Sequence, residues 1–247
     1  MGVLRGKTAV VTGGSRGIGR AIVERLAHDG ASVVFNYAQS TEAAAEVVRA
    51  VEEAGGSVHG VQLDLAQRGA PERLMEIAGE RFGGLDVLVN NAALNCSVVP
   101  LAETEEDVFD RAMAVNAKAA FLTIRYAARH MRDDGRIITI STLNTVRPAP
   151  QNAPYAASKG AIEQLTAVAA QELGPRGITA NSVSPGATDT DLLRGTNSAE
   201  SLEMAVAMTP LRRLGRPSDV ADVVGFLAGP DGRWVTGQNI RATGGIG

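Results

Sequence analysis

The sequence predicts an α/β protein: one doubly wound sheet of about seven parallel strands with helices on both faces. Three observations support this fold class. Short apolar runs alternate with longer stretches of helical period along all 247 residues. Most of the runs are apolar almost throughout, as strands covered on both faces are. Glycines, 28 in all, stand at the ends of several helical stretches, where tight helix-to-strand turns need them.

The elements follow in order. A first strand is expected at 8–12 (TAVVT), then a glycine turn and a helix over 17–29 that stops at Gly30. The second strand is 32–37 (SVVFNY), followed by a helix at 41–54 that ends at Gly55-Gly56. A strand at 57–63 leads to a helix at 70–81, closed by Gly83-Gly84. After the strand 85–89, one long helix is expected over 104–131. Gly135 precedes the strand 136–140, and a helix at 153–173 ends at Gly174. A strand at 178–183, a helix near 218–228 and a last strand at 239–242 complete the pattern. No linker, repeat or low-complexity stretch divides the chain, so 1–247 is expected to be a single Rossmann-like domain. The segment 187–210 breaks the rhythm. It follows a strand's C-terminal end and carries the apolar Leu192, Leu193, Met204 and Met208, which suits a substrate lid.

Composition excludes several function classes. The net charge of −3 gives no basic footprint for nucleic acid. No apolar run approaches the roughly 18 residues of a membrane helix. The first residues lack a signal-peptide layout, and position 6 is Gly where N-myristoylation needs Ser or Thr. Cys96 is the only cysteine, and His28, His59 and His130 are scattered, so neither a disulfide nor a metal site is expected. Asn95-Cys96-Ser97 fits the glycosylation pattern by chance if the protein is cytoplasmic, as expected.

The turn Gly13-Gly14-Ser15-Arg16-Gly17-Ile18-Gly19 joins the first strand to a helix N-terminus. Glycines there let the backbone approach a pyrophosphate, and the helix end offers N–H groups. Gly13, Ser15, Arg16, Gly17, Ile18 and Gly19 are therefore candidate cofactor ligands. A dinucleotide site for NAD has an acid about 20 residues on, to accept from the ribose 2′-OH. Here the second strand ends Phe35-Asn36-Tyr37, and the first acid after it is Glu42. With no carboxylate to repel a 2′-phosphate, and Arg16 able to pair with one, NADP (NADPH) is the expected cofactor. Asn36 and Ser40 are expected to add neutral donors. Asp64, followed by Leu65 at the third strand's end, would either accept from the adenine amino group or cap the next segment. Asn91 and Ala92 follow the fourth strand, where small residues let a cofactor pass and Asn side chains tie loops together.

Tyr155 and Lys159 are four apart on an expected helix and so share a face. A cation at about 4 Å supplies roughly the 4 kcal/mol that brings a tyrosine from near 10 to near 7. The pair alone is a weak signal. In order along the chain, TGGSRGIG at 12–19, NNAA at 90–93, Asn116, Tyr155-Ala-Ala-Ser-Lys159, Ser184-Pro185-Gly186 and TGQNIRATGG at 236–245 resemble the short-chain dehydrogenase/reductase family, over essentially the whole chain. The nearest likeness is to its 3-oxoacyl-[acyl-carrier-protein] reductase-like ketoreductases. The resemblance implies that Tyr155 protonates a carbonyl oxygen, Lys159 lowers its pKa and binds the nicotinamide ribose, and Asn116 holds a relay water. It also implies that Pro185, Gly186, Thr188 and Thr190 hold the nicotinamide amide and pyrophosphate. It implies a homotetramer with the helices 104–131 and 153–173 at one interface, where Ala117, Ala119, Ala120 and Ala161 would allow close packing.

Two positions depart from the family pattern. The family's Ser, thirteen residues before the Tyr, falls on Thr142 rather than Ser141, and strand alternation supports that count. Thr keeps the donor and acceptor but adds a methyl group. Ala93 stands where the family has Gly. The substrate site is expected to use Leu94, Asn95, Cys96, Thr142, Asn144, Arg147, Gln151 and Tyr155, with the 187–210 segment. The expected activity is NADPH-dependent reduction of a 3-oxoacyl or polyketide-like ketone, free or linked to a carrier protein or CoA. Dehydrogenation or epimerisation with NAD(P), and a non-catalytic dinucleotide-binding regulator, are the alternatives.

Overall fold

The computed structural model describes residues 2–94 and 98–247. Among them, seven parallel strands form one sheet in the order β3-β2-β1-β4-β5-β6-β7. The strands are β1 (Thr8–Val11), β2 (Ser32–Tyr37), β3 (Ser57–Gln62), β4 (Val87–Asn90), β5 (Arg136–Ile140), β6 (Thr179–Pro185) and β7 (Asn239–Ala242). The order reverses between β1 and β4, and the crevice outside the carboxyl ends of those two strands is where such sheets bind ligands.

Strand alternation divides the interior into two cores. On one face, Val11, Val33, Phe35, Val89, Ile138 and Ile140 pack against α1 (Gly17–His28), α2 (Thr41–Glu53) and α9 (Pro217–Ala228). On the other, Val10, Val34, Leu88 and Ile137 meet α3 (Ala70–Phe82), α5 (Ala119–His130) and α6 (Ala153–Leu173). The expected doubly wound sheet is therefore present.

Three expectations change. The single helix over 104–131 is instead α4 (Glu106–Ala112), a π-helical stretch Met113–Lys118 and α5. The wider turn places Asn116 and Ala117 inward, and Ala117 and Ala120 pack on Ile162 of α6. Ala117, Ala119 and Ala120 are thus buried within the chain, so they do not form the small-residue face expected at a subunit interface. The strand expected at 178–183 runs on to Pro185, because β7 pairs with Ser184 and Pro185. The segment 187–210 holds two short helices, α7 (Asp191–Thr196) and α8 (Ala199–Met208), each capped by a hydroxyl, from Thr190 and Ser198.

At the opposite end of the strands, Asp86 ties the sheet together. Its carboxylate is 3% exposed and accepts from Thr8 N–H at 2.9 Å, Lys7 at 3.0 Å and Arg132 at 2.9 Å. Removing it leaves a buried amide without a partner and two cations without a counter-charge. Asp86→Ala is expected to lower stability to urea by about 2 kcal/mol, chiefly through the unpaired Thr8 amide; an unchanged unfolding midpoint would show that this clamp does not hold β1 to β4.

Candidate active site

The glycine turn sits at the carboxyl end of β1 with almost no room for side chains. Gly13 and Gly17 have φ of +69° and +55°. A Cβ on Gly19 would lie 2.0 Å from the Gly13 carbonyl oxygen and 2.5 Å from Asn91 Nδ2. This closeness brings the N-terminus of α1 against the turn, leaving a cradle of backbone that only glycine permits. Ser15 is buried and Ile18 half-buried. Arg16 is the exposed N-cap residue of α1, and its side chain has no hydrogen-bond or ion-pair partner among the described residues.

Side chains hold this cradle in place. Asn91 Nδ2 donates to the carbonyls of Thr12 (2.9 Å) and Gly13 (3.0 Å), while Thr12 Oγ1 accepts from the N–H groups of Asn91 and Ala92. Asn36 has a different task from the one expected. Its Oδ1 accepts from Gly13 N–H and its Nδ2 donates to the Leu63 carbonyl, both at 2.9 Å, with the residue 3% exposed. The buried backbone groups at the split between strands need partners, so this amide is a strut rather than an outward phosphate donor. Ser40 stays half-buried at the start of α2. Asp64 caps its own turn through Ala66 N–H (3.0 Å) and pairs with Arg111 (3.1 Å); that amide first, and then the guanidinium, hold its carboxyl below the usual range. The Leu65 side chain is buried.

Tyr155 and Lys159 lie one turn apart at the start of α6, as expected from their spacing. Lys159 Nζ is 5.7 Å from the centre of the Tyr155 ring and donates to the Ile140 carbonyl at 2.7 Å. The lysine is 2% exposed, and burial lowers its pKa from 10.5 to about 8 against the opposing pull of Glu163. Asn116 Oδ1 accepts from Leu94 N–H (2.7 Å); its Nδ2 donates to the Leu94 carbonyl (3.0 Å) and to Ser158 Oγ (3.0 Å). Ser158 Oγ in turn donates to the Tyr155 carbonyl (2.8 Å). Both amide hydrogens of Asn116 are thus committed to the fold, and its side chain fastens the loop after β4 to the turn carrying Tyr155. π turns recur at functional sites, but MAVNAK reads in the sequence as ordinary helix.

The adjacent hydroxyls after β5 have separate surroundings. Ser141 Oγ donates to Glu163 Oε1 of α6 at 2.5 Å. Thr142 follows in the opposite strand phase, caps a 3₁₀ turn (Leu143–Thr145) by accepting from Asn144 N–H at 3.3 Å, and has no acceptor for its own hydrogen among the described residues. Glu163 and Ser158 are site residues that sequence reasoning missed. The only signal for Glu163 is its position one helical turn after Lys159.

The remaining candidates follow β4, β5 and β6 along the chain. Gly186 N–H donates to the Ala242 carbonyl, and a Cβ there would sit 3.1 Å from Thr243 Cα. Thr188 is buried and donates to the Gly186 carbonyl at 3.0 Å. Thr190 Cγ2 is 3.3 Å from where a Cβ on Gly17 would stand, so the foot of the 187–210 segment rests on the glycine turn. Leu94 and Asn144 are half-buried, and Arg147 and Gln151 are exposed, Gln151 with φ +65°. Asn95 and Cys96 lie outside the described residues. No cluster of three or more potential metal ligands occurs among the described residues, and none of their helices is long and apolar enough to cross a membrane.

Burial of Lys159 has a measurable consequence in the cofactor-free protein. Between pH 8 and 10.5 the unfolded chain binds a proton that the folded chain does not, so stability rises with pH across that window. The gain approaches about 3 kcal/mol. Urea unfolding at pH 7.5 and 10 should show this rise in the wild type and not in Lys159→Met; parallel curves would contradict it.

Comparison with known proteins agrees with this geometry. Residues 13–247 match the family described as enoyl-(acyl carrier protein) reductase. The chain is 44% identical over 248 residues, covering all of both chains, to an uncharacterized oxidoreductase of Methylorubrum extorquens. It is 40% identical over 254 residues to the versicolorin reductase stcU of Emericella nidulans, covering 98% of this chain and 96% of the relative. Among solved structures, the angucycline C-6 ketoreductase LanV with bound NADP superposes with a TM-score of 0.92 at 42% identity, covering 99% of this chain and 96% of the other. A short-chain dehydrogenase/reductase from Serratia marcescens does so with a TM-score of 0.93 at 42% identity, over 98% of each chain. With this sheet order, glycine cradle and tyrosine–lysine pair, the chain belongs to the short-chain dehydrogenase/reductase family.

Proposed function

We propose that this protein uses NADPH to reduce a bulky, polyketide-like ketone to a secondary alcohol, with Tyr155 as the proton donor. The observation that carries the reading is the buried Lys159 ammonium beside the Tyr155 ring, at the end of a crevice whose glycine cradle accepts backbone-close ligands. At 5.7 Å from the ring centre, the ammonium's positive charge favours negative charge on the phenol oxygen. Near neutral pH a lysine titrating at about 8 is mostly charged, so that support is present.

The cofactor fits the residues available. The backbone around Gly13 and Gly17–Gly19 would take the pyrophosphate, and Arg16, whose side chain has no partner among the described residues, would take a 2′-phosphate with Ser40 at the start of α2. When bound, NADPH supplies hydride to the carbonyl carbon. Tyr155 gives its proton to the carbonyl oxygen as negative charge develops there. Thr142, whose hydrogen has no acceptor among the described residues, donates to the same oxygen and orients it. Lys159 holds the phenolate until it is reprotonated. Asn116 acts through its side chain by fixing the turn that presents Tyr155.

A polycyclic or extended apolar ketone is supported by the names of the versicolorin and angucycline reductases and by the apolar, exposed Leu192, Met204 and Met208 of the 187–210 segment. A carrier-protein- or CoA-linked 3-oxoacyl group is the second substrate to test, since the matched family is described by an acyl-carrier-protein reductase. The exposed Phe109, Phe121 and Val168 on α4, α5 and α6 support self-association, with a homotetramer as the reading to test by light scattering.

Turnover of a ketone panel with NADPH and NADH tests the assignment. Absorbance loss is expected with NADPH and aromatic polyketide-like ketones, and none with any ketone would end the reductase reading. Tyr155→Phe should lower kcat by about 10²–10⁴-fold. Arg16→Ala should weaken NADPH about tenfold or more with little effect on NADH, and equal losses would contradict the 2′-phosphate assignment.

A further inference from the structure

Glu163 is a charged side chain that the proposed proton transfer does not use. It lies on α6 one turn beyond Lys159, yet hydroxyls from three segments converge on its Oε1: Ser141 after β5 at 2.5 Å, Thr145 in the following turn at 2.8 Å and Ser184 of β6 at 3.4 Å. The Ser184 proton is better placed on Asn239 Oδ1 at 2.7 Å, so two close bonds remain. Thr145 Oγ1 is also 3.0 Å from the Thr142 carbonyl, but its single hydrogen favours the charged acceptor. The two bonds grip the chain on either side of Thr142.

We propose that Glu163 is the positioning residue that decides which of the two adjacent hydroxyls serves the reaction. It draws Ser141 towards α6 and clamps Thr145, so that Thr142 is the hydroxyl left to meet the carbonyl oxygen. This proposal rests on the reductase reading above. The physical reason is competition. Ser141 and Thr142 carry the same donor, and both are nearly buried at 3% and 9% exposure. A charge-assisted bond is roughly twice as strong as a neutral one and saturates the Ser141 hydrogen. The short turn at Leu143–Thr145 then has one register, fixed by Thr145 N–H and Val146 N–H donating to the carbonyls of Thr142 and Leu143.

The test combines turnover with amide hydrogen exchange over residues 141–147. Glu163→Gln keeps an Oε1 acceptor but loses the charge, and its kcat should fall between those of the wild type and Glu163→Leu. Glu163→Leu removes the acceptor and should lower kcat about thirtyfold or more while KM for NADPH stays within about twofold. Ser141→Ala/Thr145→Ala keeps the carboxylate but removes both grips, and it should show the same kcat loss and faster exchange at Thr145 and Val146. It also decides the matter if Glu163→Leu does not fold. Adding Glu163→Leu to Thr142→Ala should cost no more than Thr142→Ala alone, because both act through one hydroxyl. The proposal is overturned by near-wild-type kcat in Ser141→Ala/Thr145→Ala, by a Glu163→Gln enzyme as impaired as Glu163→Leu, or by additive losses. If the wild type reduces no ketone, the reductase reading fails, and the clamp is judged on exchange alone: unchanged protection in Ser141→Ala/Thr145→Ala would sink it.

Discussion

The split between β1 and β4 governs the arrangement of this molecule. Where the strand order reverses, the chains leaving the two carboxyl ends diverge, and their backbone N–H and C=O groups lose ladder partners. Buried backbone groups must still be paired. Thr12, Asn36 and Asn91 meet that demand with short polar side chains that bond directly to Gly13, Leu63 and the loop after β4. Asn36 and Asn91 thus hold both the Gly13 N–H and the Gly13 carbonyl, which fixes the glycine turn in place.

The same economy of hydrogen bonds holds the reacting end. Asn116 spends its whole amide on Leu94 and Ser158, and Ser158 continues to the Tyr155 carbonyl. The helix widens over Met113–Lys118, where Asn116 faces inward. The ammonium of Lys159 is placed against the Ile140 carbonyl at the end of β5, in a position dry enough to lower its pKa while keeping it largely charged at neutral pH. Burial and proximity act together here: without burial the lysine would be screened, and without the carbonyl it would be too costly to bury.

Glu163 lies outside the proposed reacting set, yet its hydrogen bonds reach the segment that carries one member of it. The carboxylate sits on α6, which carries Tyr155 and Lys159, and its partners sit on the segment that carries Thr142. The two halves of the proposed proton-transfer site are therefore referenced to each other through one acceptor oxygen, rather than through the sheet alone.

The sequence by itself determined the strand and helix order, the glycine turn, the tyrosine–lysine pair and the family likeness. Each of these is a local pattern: hydrophobic period, glycine placement, a four-residue spacing. Strand bounds such as 32–37, 136–140 and 239–242, and the helix bounds 153–173, were legible for that reason. Tertiary structure decided what depends on partners distant in sequence. Asn36 is a strut because Leu63 and Gly13 converge on it. The helix expected over 104–131 widens where Asn116 meets Leu94 and Ser158. Three of the four alanines expected at an interface, Ala117, Ala119 and Ala120, are buried because Ile162 and the second core lie over them, while Ala161 is half-buried. Ser141 is tied to α6 because Glu163, 22 residues away, arrives on the same side of β5. No periodicity encodes such meetings, since they arise only when separate segments are packed against one another.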